Sequence, residues 1–436
     1  MPKKFVPGES VPKEPVPDKP RRSAIVVGGG VGGLTMARDL AAGGMSVILL
    51  EASDHLGGKV ASHTVAGIEL DSGAESFANR GGTVAALAAE LGVNVVRPRA
   101  GGAWLKPVTG NPVPLPATSV LGIPGTALAT DVINVIGYPG AFRAVLDQLM
   151  LGFLGSKERT LGAMVRRRMG SAVLEKLVAP VVTGIHSRHP DELDVDVVAP
   201  GLRAALLSEG SLALAVRSLR AASPAGSAVS GIDGGIHYLV EQLALDARAL
   251  GVEVRTGARV TEADSTGVTV AGERLTADHV VLATPLDAPT ETTIVLATLV
   301  VDAAALDGAP RGTGLLVAAG AQGVSAKALT HSTAKWPWLA ARLPAHRHVI
   351  RLSYSGRLPG ELETQAKQDA EVLLGVPLPA SAVLGFDAVA WPAVPQRPHD
   401  IPGVTMIGES ASGTGLAAVI SAARREAGRL LGEVDT

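Results

Sequence analysis

Three glycines near the start of the chain, in the pattern Gly28-x-Gly30-x-x-Gly33, have the spacing of a dinucleotide-binding turn. The first glycine of such a pattern allows a tight turn, the second lets the backbone approach a pyrophosphate, and the third lets a helix pack closely on a strand. The helix that follows presents free N–H groups and its positive dipole end to the phosphates. Without suitable surroundings the pattern predicts only a glycine-rich turn, so the neighbouring residues decide its meaning.

The residues around this turn predict the β-α-β unit that a dinucleotide site requires. Residues 24–27 are apolar and predict a buried strand, residues 34–42 predict a helix, and residues 46–50 predict a second strand. Glu51 closes the second strand and is followed by Ala52. A carboxylate at that place can accept hydrogen bonds from the hydroxyls of a ribose. The start of the chain is therefore predicted to be a nucleotide-binding domain of the α/β class.

A second set of glycines follows the ribose acid and consists of Gly57 and Gly58, with Lys59 directly after them. These residues bring more backbone N–H groups and a positive charge to the phosphates. The arrangement resembles that of FAD-binding oxidases rather than that of nicotinamide dehydrogenases, so FAD is the predicted cofactor. A further segment, Gly73-Ala74-Glu75, follows a strand-like run over residues 67–71 and is assigned to the same site.

The end of the chain repeats the combination of a strand, a glycine turn and a helix. Residues 404–407 predict a strand that ends in Gly408 and Glu409. Gly415 and Leu416 then precede a helix over residues 417–431, whose N-terminus suits the flavin end of the cofactor.

Composition excludes several classes of function. The chain has 436 residues, a formal net charge of −2 and no cysteine. The charge argues against a nucleic-acid partner, and the absence of cysteine excludes disulfides, thiolate metal sites and a cysteinyl-flavin link. His186-x-x-His189 lacks the i, i+4 spacing of a helical metal pair, and no metal site is predicted. No apolar run is long enough to span a membrane, because the longest, over residues 132–154, is interrupted by proline and charged residues.

The pattern of elements predicts a discontinuous nucleotide domain and two other units. We expect a disordered, proline-rich leader over residues 1–22. The Rossmann-like FAD-binding domain should combine residues 23–95, 225–285 and 398–436. Residues 96–224 should form a mostly helical subdomain, and residues 286–397 a substrate-binding domain of α+β character. The apolar stretch 127–155, with a break near residues 137–140, is either buried core or a face for a membrane or an apolar ligand.

With these stretches placed, the chain resembles the flavin amine oxidase superfamily and, within it, the protoporphyrinogen oxidase family. It is most similar to the Gram-positive branch that acts on coproporphyrinogen III. The resemblance covers nearly everything after the leader. Besides the glycine motifs it rests on residues 177–193, Gly234-Gly235, residues 281–285, Lys335-Trp336-Pro337, and Trp391 with Pro395-Gln396.

The resemblance implies that FAD takes a hydride from a reduced tetrapyrrole and that dioxygen re-oxidises the flavin, releasing hydrogen peroxide. Because the flavin carries the chemistry, no catalytic side chain is predicted. Cofactor contacts are expected at Gly28, Gly30, Val31, Gly33, Glu51, Ala52, Gly57, Gly58, Lys59, Gly73, Ala74, Glu75, Val260, Gly408, Glu409, Gly415 and Leu416. Arg80 and then Lys335 are the candidates for gripping the propionates, since cations suit carboxylates. Lys335 could instead contact the flavin.

Other functions stay open at this point. One alternative is oxidation of protoporphyrinogen IX, or of an amine or a carotenoid precursor, and another is a non-catalytic porphyrin-binding flavoprotein. The segment 286–309 is shorter than is usual in the family, which gives some support to the non-catalytic porphyrin-binding flavoprotein. We expect a cytoplasmic protein, with peripheral membrane contact and hand-over to the next haem-synthesis enzyme left open. The sequence does not specify the oligomeric state.

Overall fold

The computed structural model describes residues 21–100, 102–186, 188–222, 229–284, 286, 293–356, 361–392 and 400–432. For residues 80, 185, 186, 222 and 392, which lie inside helices or strands, the described part of the structure is the backbone. Several predicted features lie outside the described residues. They are residues 1–20 of the leader, Pro285, residues 287–292 of the short segment 286–309, and Pro395-Gln396.

A parallel five-stranded sheet forms the centre of the first half of the fold. Its strands lie in the order Glu253–Arg255, Ser46–Leu50, Ser23–Val27, His279–Leu282 and Thr405–Met406. Neighbouring strands pair in parallel throughout. Both faces of a parallel sheet are normally covered, and its strands therefore read as continuous apolar runs. The strands come from separated parts of the chain, so they meet only in the folded protein.

Three helices, Val31–Ala42, Ile236–Ala249 and Leu416–Leu431, share one hydrophobic core with this sheet. The first begins at Val31 rather than at residue 34, because its first turn is made of the glycines that follow Gly30. Smaller strands flank this half. They are Ser62–Val65 with Ile68–Asp71, Phe77–Ala78 with Val229–Ile232 and Val95–Val96, and the sheet of Val260–Asp264, Gly267–Val270 and Glu273–Thr276.

The middle of the chain is mostly helical, and glycines interrupt its helices. Gly137 (φ 74°) kinks the helix Thr130–Val145 within the break expected near residues 137–140. Gly201 and Gly210 take left-handed conformations at the two ends of the helix Leu202–Glu209. The other helices here are Leu161–Met169, Ser171–Val173, Leu174–Val178, Ala179–His186, Val195–Val198, Leu202–Glu209 and Leu212–Ala222. In the part of the chain that the structure describes, no helix combines the length and apolarity needed to cross a bilayer.

A seven-stranded sheet forms the second half of the fold. Its strands lie in the order Val383–Pro392, Thr293–Asp302, Arg347–Ser355, Ala328–His331, Gly314–Val317, Trp104–Lys106 and Val113–Pro114. The last two come from the stretch predicted to be mostly helical, and Trp104–Lys106 pairs in parallel with Gly314–Val317. The helix Leu362–Leu374 packs on this sheet. Among the remaining helices, Thr83–Glu90, Ser332–Lys335 and Pro337–Ala341 lie beside residues of the predicted site.

Candidate cofactor and substrate site

The turn between the first strand and the first helix is built so that only glycine fits at its tightest points. Gly28 has φ 104°, and a Cβ atom on Gly33 would lie 1.9 Å from the carbonyl oxygen of Gly28. Gly30 caps the helix without a side-chain hydrogen bond, and a Cβ there would meet nothing closer than Gly57 O at 3.8 Å. The free N–H groups of the helix N-terminus, beginning near Val31, therefore face an approachable surface.

Glu51, the residue predicted to accept from a ribose, lies against this turn. Its Oε2 accepts a hydrogen bond from the Gly29 N–H at 2.6 Å, and its Oε1 accepts from the Ser53 N–H at 2.8 Å. The backbone of Ala258 donates to Glu51 O at 2.8 Å, which brings the strand that begins at Val260 close to the same carboxylate. Ala52 follows between Glu51 and Ser53. Here the structure brings together residues that the sequence separates by about 200 positions.

The second glycine pair closes onto the first. The Gly57 N–H donates to Gly29 O at 2.9 Å, and Gly30 and Gly57 form a parallel bridge. Lys59 Nζ binds Glu409 Oε2 at 2.7 Å, so the cation after the pair meets the acid from the end of the chain.

The C-terminal glycines complete the same surface. Gly408 has φ 89° and lies beside the first helix, since a Cβ on Gly32 would come within 3.8 Å of Gly408 Cα. Gly415 has φ 99° and caps the helix that begins at Leu416, again without a side-chain hydrogen bond. Two uncapped helix N-termini and a set of glycines thus line one cradle. This lining fits a dinucleotide pyrophosphate, which needs close backbone approach and N–H donors.

Residues 73–75 lie where the nucleotide half meets the second sheet. A Cβ on Gly73 would lie 1.9 Å from Lys59 O, and the Ala74 N–H donates to the same oxygen at 3.2 Å. Glu75 then reaches away from the cradle toward the second sheet. Its two oxygens accept from Lys335 Nζ at 2.7 Å and from Arg351 Nη1 at 3.0 Å. Ser332 Oγ also donates to Glu75, at 2.9 Å.

The charge state of Glu75 follows from these partners. Burial alone would raise the pKa of a carboxyl group, because a charge is poorly solvated inside a protein. Lys335 and Arg351 outweigh that effect and lower the pKa of Glu75 to about 2. The group is therefore a carboxylate at any physiological pH.

A cavity of about 470 Å³ opens beside this junction. Its lining includes Phe77, Asn79, Val95, Arg97 and Ser230. The volume lies within the range of small-molecule pockets. Arg80 begins the short turn Arg80–Gly82 next to this lining, but its side chain is outside the described residues. The ammonium group of Lys335 is engaged by Glu75 rather than free.

Sequence reasoning missed Arg97, Ser332 and Arg351. The sequence gives only weak signals for the two arginines. Arg351 is a charged residue inside an apolar strand, and Arg97 is the first polar residue after the short strand at residues 95–96. A separate cluster also went unpredicted: Glu69, His237 and Glu241 bring potential ligand atoms within 4.8 Å of one another. Both glutamates are exposed, and His237 Nδ1 binds Asp71 Oδ1 at 2.8 Å, so an ion cluster accounts for the geometry.

Comparison with known proteins identifies the family of this chain. The profile of the family described as flavin containing amine oxidoreductase matches residues 31–303. A coproporphyrinogen III oxidase from Mycobacterium leprae is 29% identical, over 95% of this chain and 99% of that protein. One from Propionibacterium freudenreichii is 30% identical over 62% of this chain and 58% of that protein, so this match spans less than two thirds of that relative.

Among solved structures, a protein from Exiguobacterium sp. 255-15 that is provisionally described as a protoporphyrinogen oxidase superposes with a TM-score of 0.79. It covers 95% of this chain and 99% of its own, at 22% identity, and so shares the fold. The family resemblance and the FAD cofactor predicted from the sequence are confirmed by these findings.

Proposed function

This chain belongs to the flavin-containing amine oxidoreductase family, and from that premise we propose that it oxidises coproporphyrinogen III to coproporphyrin III. As a family member it is an FAD-binding oxidoreductase. The observation that supports the substrate is the cavity with Arg97 in its wall, whose lining at residues 77–79 follows Glu75 closely in the chain. The relatives named coproporphyrinogen III oxidase, one of which aligns over nearly the whole chain, support the same choice.

In this proposal the chain binds, orients and shields, and the cofactor supplies the hydride acceptor. The uncapped N-terminus of Val31–Ala42 and the glycines at 28, 30, 33, 57 and 58 hold the pyrophosphate. Glu51 accepts from the ribose, Val260 lies near the adenine, and Gly408, Glu409, Gly415 and Leu416 lie toward the ribityl and flavin end. Lys59, Gly73, Ala74 and the backbone of Glu75 complete the cofactor contacts.

Substrate binding needs cations for the propionates and apolar walls for the macrocycle. Arg97 lines the cavity with Phe77 and Val95, so its guanidinium can bind a carboxylate at the wall. Arg80 stays a candidate because its backbone lies at the cavity edge. Lys335 is better placed to hold Glu75 than to reach a propionate.

The numbers of electrons and hydrogens transferred follow from the difference between a porphyrinogen and a porphyrin. Three two-electron oxidations remove six hydrogens from the macrocycle, and we propose that three molecules of dioxygen take them up as hydrogen peroxide.

Turnover separates this function from the alternatives. FAD-loaded protein should form fluorescent porphyrin from coproporphyrinogen III above the rate without enzyme, with one hydrogen peroxide for each pair of electrons. Arg97→Met should raise KM by about tenfold or more, since a charge-assisted contact is lost, with flavin content unchanged. The matched control is Arg99→Met, which removes an arginine from the same exposed stretch but not from the cavity wall.

Three results would replace the proposal. Faster turnover of protoporphyrinogen IX would change the substrate, and turnover of amines with none of porphyrinogens would change the reaction. Tight porphyrin binding without peroxide would make the protein a non-catalytic flavoprotein.

We also propose a cytoplasmic protein that contacts the membrane surface. Large apolar side chains are exposed around the end of the kinked helix, at Tyr138, Phe142, Leu149, Leu151 and Phe153. Leu149 is 81% exposed, and all five of these large apolar side chains are exposed within one stretch of 16 residues, 138–153. A Cβ atom on Gly155 would lie 3.8 Å from Arg167 Cδ, so this arginine, which pairs with Glu158, borders the apolar surface. An apolar surface with an arginine at its border suits the headgroup region of an anionic bilayer. The porphyrin product could then pass at this surface to the next enzyme of haem synthesis.

A further inference from the structure

Arg351 connects the second sheet to the residues predicted to contact the cofactor. It lies on the strand Arg347–Ser355 and is only 8% exposed. Nη2 donates to the carbonyl oxygen of Gly73 at 2.6 Å, and Nη1 donates to Glu75 Oε2 at 3.0 Å. One side chain therefore fixes both ends of residues 73–75.

The hydrogen bonding of Arg351 is incomplete. Its Nε is buried and has no hydrogen-bond partner among the described residues. An unpaired buried donor is destabilising, and a buried ion pair can often be replaced by apolar residues without loss of stability. Stability alone does not explain an arginine at this place.

The cluster around Arg351 is also unbalanced in charge. Glu75 is the carboxylate that pairs with both Lys335 and Arg351, and neither cation has another carboxylate within 4.0 Å in the described ranges. One negative and two positive groups leave a net positive charge in a poorly solvated place, where electrostatic effects are strong.

We propose that Arg351 is a positioning residue for the flavin reaction. It holds residues 73–75 against the second sheet, and it supplies the excess positive charge that favours electron transfer onto the bound cofactor. The inference rests on FAD binding and on the predicted contact at Gly73 and Ala74. It does not depend on which substrate is oxidised.

The test compares the midpoint potential of bound FAD, measured by equilibration with a reference dye, in three variants and the wild type. Arg351→Met removes the excess charge and should make the potential more negative. Glu75→Gln leaves two cations without their carboxylate and should make it more positive. Arg347→Met is the matched control, because Arg347 lies on the same strand, is paired with Asp302 at the surface, and should leave the potential unchanged.

FAD affinity provides a second measurement that needs no substrate. Arg351→Met should weaken FAD binding by about tenfold or more, because the contacts to Gly73 and Glu75 are lost together. Arg351→Lys keeps the positive charge, so its FAD midpoint potential should lie close to that of the wild type. Its FAD affinity should lie between those of Arg351→Met and the wild type, because a lysine lacks the second nitrogen that contacts Gly73.

Opposite shifts of potential in Arg351→Met and Glu75→Gln support the proposal, because a purely structural role would not reverse sign with charge. Shifts of the same sign, or none beyond that of Arg347→Met, would overturn it. If Arg351→Met does not fold, the other two variants decide. A more positive potential in Glu75→Gln with a nearly wild-type potential in Arg351→Lys supports the proposal, and an unchanged or more negative potential in Glu75→Gln overturns it. A protein that shows opposite shifts but does not oxidise coproporphyrinogen III would keep this assignment and lose only the proposed substrate.

Discussion

Two buried ion clusters in this protein are built in opposite ways. In the helical region Asp147 and Arg168 are both fully buried, and Arg168 Nε binds Asp147 Oδ1 at 2.5 Å. Asp147 also accepts from the N–H groups of Leu212 and Ala213, while the remaining Arg168 donors reach backbone carbonyls. Where residues 73–75 meet the seven-stranded sheet, a place we call the junction, Glu75 faces both Lys335 and Arg351, and one donor of Arg351 is left without a partner among the described residues.

The difference separates a structural cluster from a functional one. The Asp147–Arg168 pair is balanced in charge and satisfied in hydrogen bonds, so it ties a loop, a helix and a helix N-terminus together. The Glu75 cluster has an excess of positive charge and an unused donor beside a cavity and a glycine cradle. We expect substitutions in the first to change the fold's stability and substitutions near the second to change what the protein binds.

The largest effect is expected for Arg168→Met. It leaves the Asp147 carboxylate buried without its cation, and breaking a buried pair in this way costs about 3–5 kcal/mol. Urea unfolding of the FAD-loaded protein should show this loss in the free energy of unfolding. Arg167→Met, which removes an exposed neighbour paired with Glu158, should change it by no more than about 1 kcal/mol. Equal, small effects of both would mean that the buried pair does not hold the helical region together.

Glu51→Ala should change binding rather than stability. Removing the predicted ribose acceptor should weaken FAD binding by roughly 10- to 100-fold, the range for a lost charge-assisted hydrogen bond. Flavin absorbance after gel filtration and titration of the apoprotein measure it. Asp54→Asn, an exposed acid three residues on, serves as the control. Unchanged flavin content in Glu51→Ala would remove its proposed ribose role.

Local sequence patterns predict the glycine cradle, but they do not predict the contacts of residues 73–75 with the second sheet. Gly28 to Glu51 could be predicted because strand, glycine turn, helix and acid follow one another directly. The placement of Gly408 near the first helix could also be predicted, because a second glycine turn before a helix indicates a second contact with the same cofactor. The pairing of Trp104–Lys106 with Gly314–Val317 was not, because parallel pairing of distant strands leaves no local signal. Arg351 was missed for the same reason: its partners at Gly73 and Glu75 are distant in sequence.

The junction should also be more sensitive to acid than the helical region. Burial, and then the neighbouring His348, lower the pKa of His331 to about 3. A folded-state pKa below the unfolded value of 6.5 means that the unfolded chain binds more protons below that pH, so stability is present above pH 6.5 and falls as the pH drops. Glu75, with its pKa of about 2, contributes no such loss until the pH is below about 4.5.

His331→Gln should therefore reduce the fall in unfolding free energy between pH 7 and pH 5, measured by urea unfolding at both values. His55→Gln, an exposed histidine, should keep the wild-type slope. A slope that His331→Gln leaves intact would place the acid sensitivity elsewhere.

The smallest effect on stability is expected at the exposed apolar surface of the helical region. Phe142→Ser with Phe153→Ser should change the free energy of unfolding by less than about 1 kcal/mol, because both side chains are already exposed. The same double variant should lose flotation with vesicles that contain anionic lipid, while its FAD content stays normal. Wild-type protein that does not float with such vesicles would contradict the proposed membrane contact.

The central claim is that the cradle and the cavity act together on a porphyrinogen. The most direct measurement is anaerobic mixing of the FAD-loaded protein with coproporphyrinogen III while the flavin absorbance is followed. We predict that the oxidised flavin band bleaches on mixing, and that it returns with porphyrin fluorescence when air is admitted. A flavin that stays oxidised with coproporphyrinogen III in excess would contradict the account.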